Sequence, residues 1–269
     1  MRQRLGQHFL INKEILSCIA GFLERSPVKT VIEIGPGHGE LTGSILALPT
    51  PRTLILIEKD PELAGTLPSL FPKEHGKGTL RVEEGDVRTE LPRIVSSLHG
   101  KEYAITGNIP YYLTSFLFRI IGSLIPKPER CIFTIQKEVA ERVAAEPPHM
   151  NLLAASVQSW ADVSVVASVP KRDFSPPPKV DSATVLLTTR IADEPFDESA
   201  YFATARALFK QPRKTIINNM NAFADIRGIA NPTMREMLVA CDIVPDNRAQ
   251  TLSVKSIKRL SALLYTESV

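Results

Sequence analysis

The sequence contains few of the residues that build disulfide frameworks or zinc sites, since only three of its 269 residues are cysteines. Cys18, Cys131 and Cys241 are far apart and show no Cys-x-x-Cys spacing, so we expect free thiols and no bound metal. No apolar run is long enough to cross a bilayer, and no apolar signal region follows the charged first residues. We therefore expect a cytoplasmic, monomeric protein.

The chain has little excess charge of either sign, with a formal net charge of +3. The positive charge is concentrated in residues 198–269, which hold ten Lys or Arg and six Asp or Glu. Such an excess is typical of a segment that contacts phosphates, and it is also compatible with a solvated helical surface.

Apolar, β-branched runs alternate with helix-like stretches through the first two thirds of the chain. This alternation predicts a parallel sheet with helices on both faces, which is an α/β fold. The predicted strands cover residues 30–35, 53–58, 80–84, 103–107 and 131–135, and the predicted helices cover residues 41–48, 61–70, 91–98 and 114–124.

Two further strand-like runs, residues 162–169 and 183–189, are joined by a proline-rich turn with no helix of useful length. A short connection predicts an antiparallel hairpin at the end of the sheet. We place a domain boundary in the acidic segment that follows, with a catalytic domain at 1–192 and a small all-α domain at 193–269. Its predicted helices cover residues 198–210, 213–223, 232–240 and 253–265.

A glycine-rich turn, Glu-Ile-Gly-Pro-Gly-His-Gly at residues 33–39, closes the first predicted strand. Gly35 and Gly37 would let the backbone turn tightly and approach a ligand closely. The third glycine, Gly39, comes one residue too early for the dinucleotide fingerprint, which disfavours a nicotinamide dehydrogenase.

Two acidic residues end the next two predicted strands. Glu58 stands about 20 residues after the glycine turn, where an acid can accept both hydroxyls of a ribose, and Asp86 can accept from an adenine amino group. Either acid alone is more often a solvated strand end. Together with the glycine turn they predict a site for S-adenosylmethionine, a nucleoside with a positively charged sulfonium tail.

The run Asn108-Ile109-Pro110-Tyr111 directly follows the fourth predicted strand. An adenine N6 amine is a poor nucleophile because its lone pair is delocalised into the ring. If the Asn108 side-chain oxygen and a backbone carbonyl accept the amino hydrogens, the lone pair can localise on nitrogen, while Tyr111 stacks on the extruded base. Phe174 is either the aromatic on the other face of that base or a core residue at a strand end.

At this point the chain resembles the KsgA-type ribosomal RNA adenine dimethyltransferases nearly end to end. The motif Phe-Ser-Pro-Pro-Pro-Lys-Val-Asp-Ser and the Arg-Lys-Thr run in the tail are its most specific elements. The resemblance is carried by residues 6–10, the glycine turn, Glu58, Asp86, the Asn108–Tyr111 run, and residues 136–140, 174–182, 213–216 and 248–253.

The resemblance implies a class I Rossmann-like methyltransferase sheet followed by a helical C-terminal domain. It implies target-base contacts at Asn108, Pro110, Tyr111 and Phe174. The usual substrate of the family is two adjacent adenines in the 3′-terminal hairpin of 16S rRNA, within an assembling small subunit. The implied cofactor contacts, with Gly37 added from the glycine turn, are His8, Leu10, Gly35, Gly37, Glu58, Asp86 and Asn108.

Two alternatives remain besides the dehydrogenase. An Erm-type large-subunit rRNA methyltransferase shares the catalytic run but is disfavoured by the Pro-Pro-Pro-Lys-Val-Asp-Ser stretch and the basic tail. A non-catalytic relative that binds RNA or DNA is disfavoured by the intact glycines, Glu58, Asp86 and Asn108.

Overall fold

The computed structural model describes residues 8–50, 52–190 and 196–266. A seven-stranded sheet runs in the order β4-β3-β2-β5-β6-β9-β7, and a short two-stranded sheet pairs β1 with β8. The strands are β1 (Phe9–Leu10), β2 (Thr30–Ile34), β3 (Thr53–Glu58), β4 (Leu80–Glu84), β5 (Tyr103–Asn108), β6 (Arg130–Gln136), β7 (Ala161–Val169), β8 (Phe174–Ser175) and β9 (Ser182–Thr189).

The first five strands of the large sheet are parallel, whereas β9 is antiparallel to both β6 and β7. The β7–β9 register runs from Ala161 opposite Thr189 to Val169 opposite Ser182, so these strands form the predicted hairpin. This arrangement confirms the predicted α/β fold with an antiparallel terminal hairpin.

The parallel strands are connected through helices, as parallel pairing requires. A further helix, α1, precedes β2 and begins after Asn12, whose side chain accepts from the backbone N–H groups of Glu14 and Ile15 and so caps the helix. The helices of this part are α1 (Lys13–Glu24), α2 (Glu40–Leu46), α3 (Pro61–Leu70), α4 (Pro72–Gly76), α5 (Val87–Ser97), α6 (Thr114–Ser123) and α7 (Lys137–Val143).

The described residues divide into two compact units, one holding those up to Ala140 together with Ala161–Thr189, and the other holding Glu141–Trp160 and the residues from Arg190 onward. The core of the first unit is formed by buried strand residues such as Val31, Leu54 and Ile132. The second unit contains α8 (Leu152–Gln158), α9 (Glu198–Leu208), α10 (Ile216–Arg227), α11 (Asn231–Ala240) and α12 (Val254–Thr266).

The predicted domain boundary after residue 192 lies in the segment 191–195, outside the described residues. The structure differs from the prediction in a second segment, because residues 141–160 group with the helical unit. The cause is packing: Met150 and Ala155 belong to the helical core, and the buried Tyr201 hydroxyl donates to the Ala155 carbonyl at 2.8 Å.

Among the described residues, no helix combines the length and apolar character needed to cross a membrane. The same part of the chain contains no cluster of three or more His, Cys, Asp or Glu side chains that could hold a metal ion.

Candidate active site

A cavity of about 610 Å³ opens at the carboxyl ends of the parallel strands. This is the edge where open α/β sheets bind ligands. Nine of the ten site residues predicted from the sequence line it: His8, Gly35, Gly37, Glu58, Asp86, Asn108, Pro110, Tyr111 and Phe174.

Leu10 is the predicted residue that does not line this cavity. Its side chain is only 4% exposed and belongs to the hydrophobic core of the first unit. Its backbone is the part near the site, since Leu10 pairs with Phe174 in the β1–β8 ladder.

The glycine turn follows β2 and has a backbone conformation that residues with a side chain rarely adopt. Gly35 and Gly37 have φ values of 64° and 60°, in the left-handed region. A Cβ on Gly37 would lie 2.7 Å from the Phe9 ring, so the turn also leaves room for the N-terminal strand to cross it.

Glu58 ends β3, and two backbone N–H groups hold its carboxylate in place. One carboxylate oxygen accepts from the Gly37 N–H at 3.1 Å, and the other accepts from the Asp60 N–H at 2.9 Å. An ionised carboxylate has about four acceptor positions. Glu58 can therefore keep both of these hydrogen bonds and still accept from a ligand in the cavity.

Asp86 follows β4 and caps α5, accepting from the Arg88 N–H at 3.0 Å. Its carboxylate also accepts from the Arg88 guanidinium at 2.8 and 2.7 Å and from the Lys59 ammonium at 3.0 Å. These hydrogen bonds, those from the Arg88 guanidinium first, hold the pKa of Asp86 well below its usual range. The carboxylate is thus ionised, and these four hydrogen bonds occupy its acceptor positions, so a ligand can donate to it only in place of Lys59 or Arg88.

Lys59 and Arg88 line the cavity but were not predicted from the sequence. A signal was present, since Lys59 directly follows Glu58 and Arg88 stands two positions after Asp86. The acidic side chain that each cation contacts depends on the pairing of β3 with β4, in which Glu58 lies opposite Glu84.

Asn108 ends β5, and its side-chain amide has a fixed orientation. Its Nδ2 donates to the His8 carbonyl at 2.6 Å. Because a carbonyl can only accept, this contact identifies the nitrogen and leaves Oδ1 as the free acceptor of the amide. No hydrogen bond from the described residues reaches that oxygen, and Asn108 lines the cavity.

Tyr111 and Phe174 are the two aromatic residues predicted to hold a target base. The Tyr111 hydroxyl bonds to the buried Ser182 hydroxyl at 2.9 Å, and burial raises the pKa of Tyr111, which keeps the ring neutral. Phe174 is 2% exposed and belongs to the core, yet it also lines the cavity. Phe174 is therefore a core residue that also borders the cavity, and its contact with a target base stays a prediction.

The N-terminal strand β1 connects these parts of the site. The His8 Nδ1 donates to the Pro176 carbonyl at 2.7 Å, while the His8 carbonyl accepts from Asn108. The Phe9 ring packs on His38 with centroids 4.3 Å apart. The sequence motif here begins at Gly6, but residues 1–7 lie outside the described residues.

Glu33 is a buried acid below the glycine turn to which no role was assigned from the sequence. Burial raises its pKa to about 8, although the Thr42 hydroxyl donates to it at 2.7 Å. It lines a much smaller cavity together with Gly35, Glu40 and Asn108.

The fold, with this cavity at the carboxyl ends of the parallel strands, is that of the class I methyltransferases. A crystal structure of a dimethyladenosine transferase from Plasmodium falciparum superposes with a TM-score of 0.79 at 24% identity, covering 97% of this chain and 99% of that one. The crystal structure of the 23S rRNA methyltransferase ErmE gives a TM-score of 0.71 at 24% identity, covering 95% and 99%. At this identity both likenesses show the fold alone.

Residues 1–261 match the model of the family described as ribosomal RNA adenine dimethylase. The chain belongs to this family, which confirms the resemblance and the enzyme class predicted from the sequence. It is 36% identical to a ribosomal RNA small subunit methyltransferase A of Dehalococcoides mccartyi strain CBDB1, over 96% of this chain and 87% of that one. The protein of the same name from Moorella thermoacetica is 32% identical over 98% and 92%.

Proposed function

We propose that the protein transfers methyl groups from S-adenosylmethionine to the N6 nitrogens of two adjacent adenines in the 3′-terminal hairpin of 16S rRNA. The product is N6,N6-dimethyladenine, formed on a partly assembled small subunit. Family membership supports the reaction, and the names of its relatives support the choice of subunit.

The observation that carries the proposal is the orientation of the Asn108 amide. The His8 carbonyl accepts a hydrogen bond from Nδ2, so Oδ1 is the acceptor that remains available beside Tyr111 and Phe174. An acceptor next to aromatic rings is what an extruded adenine needs, because its amino group donates and its ring stacks.

The residues of the cavity fit the proposed cofactor. Its volume of about 610 Å³ is within the range typical of small-molecule sites. Glu58 has spare acceptor positions for ribose hydroxyls, and the ionised Asp86 can accept from an adenine amino group when Lys59 or Arg88 gives up one of its hydrogen bonds. When bound, the cofactor supplies an electrophilic methyl group on a sulfonium centre.

The protein's own contribution is to bind and orient the two reactants. Asn108 Oδ1 and a backbone carbonyl of the Asn108–Pro110 run accept the two amino hydrogens, which localises the lone pair on N6. Tyr111, anchored by Ser182, and Phe174 hold the ring between them. Positioning is the main catalytic contribution, and the methylated nitrogen loses its proton to water without a dedicated base.

A second methyl transfer to the same nitrogen depends more strongly on protein–RNA contacts outside the pocket. Once one amino hydrogen is replaced, a single amino contact is left, so contacts outside the pocket must hold the base in place. We assign part of this role to exposed cations of the helical unit. They are Arg206, Lys210, Arg213, Lys214 and Arg248.

The backbone of the helical unit brings three of these cations together. Thr215 and Arg248 form an antiparallel bridge, and the Ile216 N–H donates to the Asn247 carbonyl at 2.7 Å. The Asn219 amide both donates to and accepts from the Gln211 backbone at 3.1 Å, which fixes the turn that carries Arg213 and Lys214. A fixed basic turn suits phosphate contacts.

The test offers purified protein and labelled S-adenosylmethionine to undermethylated small subunits, large subunits and free rRNA, followed by mapping of the modified nucleotides. Dimethyladenine at two adjacent adenines of the small subunit is the expected result. Label only in large-subunit RNA would identify an Erm-type enzyme, and label in none of the three would indicate a non-catalytic relative.

A further inference from the structure

Two large aromatic side chains lie exposed immediately beyond the catalytic run. Tyr112 is 64% exposed and Phe116 is 37% exposed, and both line the mouth of the cavity. Tyr112 lies in the 3-10 turn at Tyr111–Leu113 that leads into α6, whereas Phe116 and Arg119 lie three residues apart on the α6 surface. These three residues are here called the aromatic stripe.

The packing of α6 does not require this aromatic stripe. The helix buries a different face, formed by Leu117, Phe118 and Ile121, against the first unit. An aromatic residue left in water on a helix whose buried face is already apolar contributes little to folding. The exposed rings are therefore available to a ligand.

The charge around the stripe is positive. The Arg119 guanidinium lies 5.3 Å from the centre of the Phe116 ring, and Arg119 forms no ion pair with any described residue. Residues 114–123 contain no acid. Aromatic rings interleaved with cations are the pattern that binds single-stranded nucleic acid, where bases stack on the rings and phosphates meet the cations.

The positions of two consecutive tyrosines relate this surface to the pocket. Tyr111 is directed inward to Ser182, whereas Tyr112 is exposed. A base held by Tyr111 thus has Tyr112 and Phe116 beside it on the outside of the same cavity. An RNA strand that places one nucleotide in the pocket can therefore place a neighbouring nucleotide near these rings.

We propose that Tyr112 and Phe116 form a stacking platform for the nucleotide next to the target adenine, with Arg119 contacting its phosphate. The inference rests on the proposed function and deepens it. Since the proposed substrate is a pair of adjacent adenines, the platform would hold one adenine while the other is in the pocket.

The first part of the test measures methylation of undermethylated small subunits by wild type and by the Tyr112→Ala/Phe116→Ala variant. Loss of base stacking is expected to raise KM for the subunit about 5-fold to 150-fold. The kcat value stays unchanged, because the platform binds substrate and transition state equally. The variant Tyr112→Phe/Phe116→Tyr keeps both rings and the wild-type KM.

Ile125→Ala provides the matched control, since Ile125 is an exposed apolar residue of the same unit, 88% exposed, that does not line the cavity. Its KM is expected to equal that of wild type. Arg119→Gln should flatten the salt dependence of subunit binding by about one unit of slope. An unchanged KM in the double alanine variant would overturn the proposal.

The second part uses subunits reconstituted with an abasic nucleotide in place of either neighbour of the target adenine. On one of the two substrates, the KM of wild type should rise as much as the KM of the double alanine variant rises on intact RNA, and the KM of the variant should rise no further. If each abasic substitution instead raises KM equally for wild type and variant, the rings do not contact the neighbouring base. If wild type methylates no small subunit, the proposed function fails and this inference fails with it.

Discussion

Removal of the Glu58 carboxylate tests how the cofactor is held. In Glu58→Ala the cavity loses its buried acceptor at the end of β3, and the Gly37 and Asp60 N–H groups lose their partner. The substitution therefore has two separable effects, one on ligand affinity and one on the stability of the glycine turn.

The two magnitudes follow from the hydrogen bonds involved. Hydrogen bonds to a charged group contribute about 1.5–3 kcal/mol, so we expect the Kd for S-adenosylmethionine to rise about 10-fold to 150-fold. The Gly37 N–H is buried, and leaving it without an acceptor should lower the free energy of unfolding by about 1–3 kcal/mol.

Isothermal titration calorimetry, at a temperature well below the unfolding midpoint of the variant, measures the affinity of folded protein. Glu84→Ala is the matched control, because Glu84 stands opposite Glu58 in the β3–β4 register, is exposed, and does not line the cavity. An unchanged affinity in folded Glu58→Ala would remove Glu58 from the site. An equal loss of cofactor affinity in Glu84→Ala would show that Glu58 acts only through its negative charge and not through direct hydrogen bonds.

Three further predictions address other parts of the molecule. Asn108→Ala should leave cofactor affinity largely intact but lower single-turnover methylation by roughly 10²–10³, the effect of deleting one preorganised polar group, and a wild-type rate would refute its role. Arg213→Ala/Lys214→Ala should flatten the salt dependence of RNA affinity by about two units of slope, one per lost phosphate contact, whereas equal slopes would speak against phosphate contacts there. Because burial raises the pKa of Glu33 to about 8 from 4.5, the folded state holds more protons than the unfolded state between these values, and wild-type stability falls as pH rises through this window. In Glu33→Gln, urea unfolding should show a weaker fall over that window, and identical pH profiles would contradict the assignment.

The strands and the ends of the strands were predictable because each has a local signature. β2 and β3 are β-branched or aliphatic runs buried on both sides, and the residues that follow them, the glycine turn and Glu58, mark where the chain leaves the sheet. Since parallel strands end at one edge, the convergence of Glu58, Asp86 and Asn108 followed from topology alone.

Two of the features that the sequence did not predict, β1 and the ion pairs of Asp86, have no periodicity to detect. β1 is two residues long, and it forms only because β8, another two-residue strand, lies opposite it. The helix α1, which was not predicted, does have a readable pattern, with Leu16, Ile19 and Leu23 on one buried face. The ion pairs of Asp86 depend on distances between side chains, which spacing along the chain does not give.

The contacts of β1 have a consequence for the order in which the site can form during synthesis. During synthesis, His8 leaves the ribosome 168 residues ahead of its partner Pro176. Until that segment emerges, β1 has no strand to pair with and Phe174 is absent from the cavity. The nascent chain can therefore build most of its parallel sheet while the completed site, with all of its contacts, still awaits the last part of the first unit.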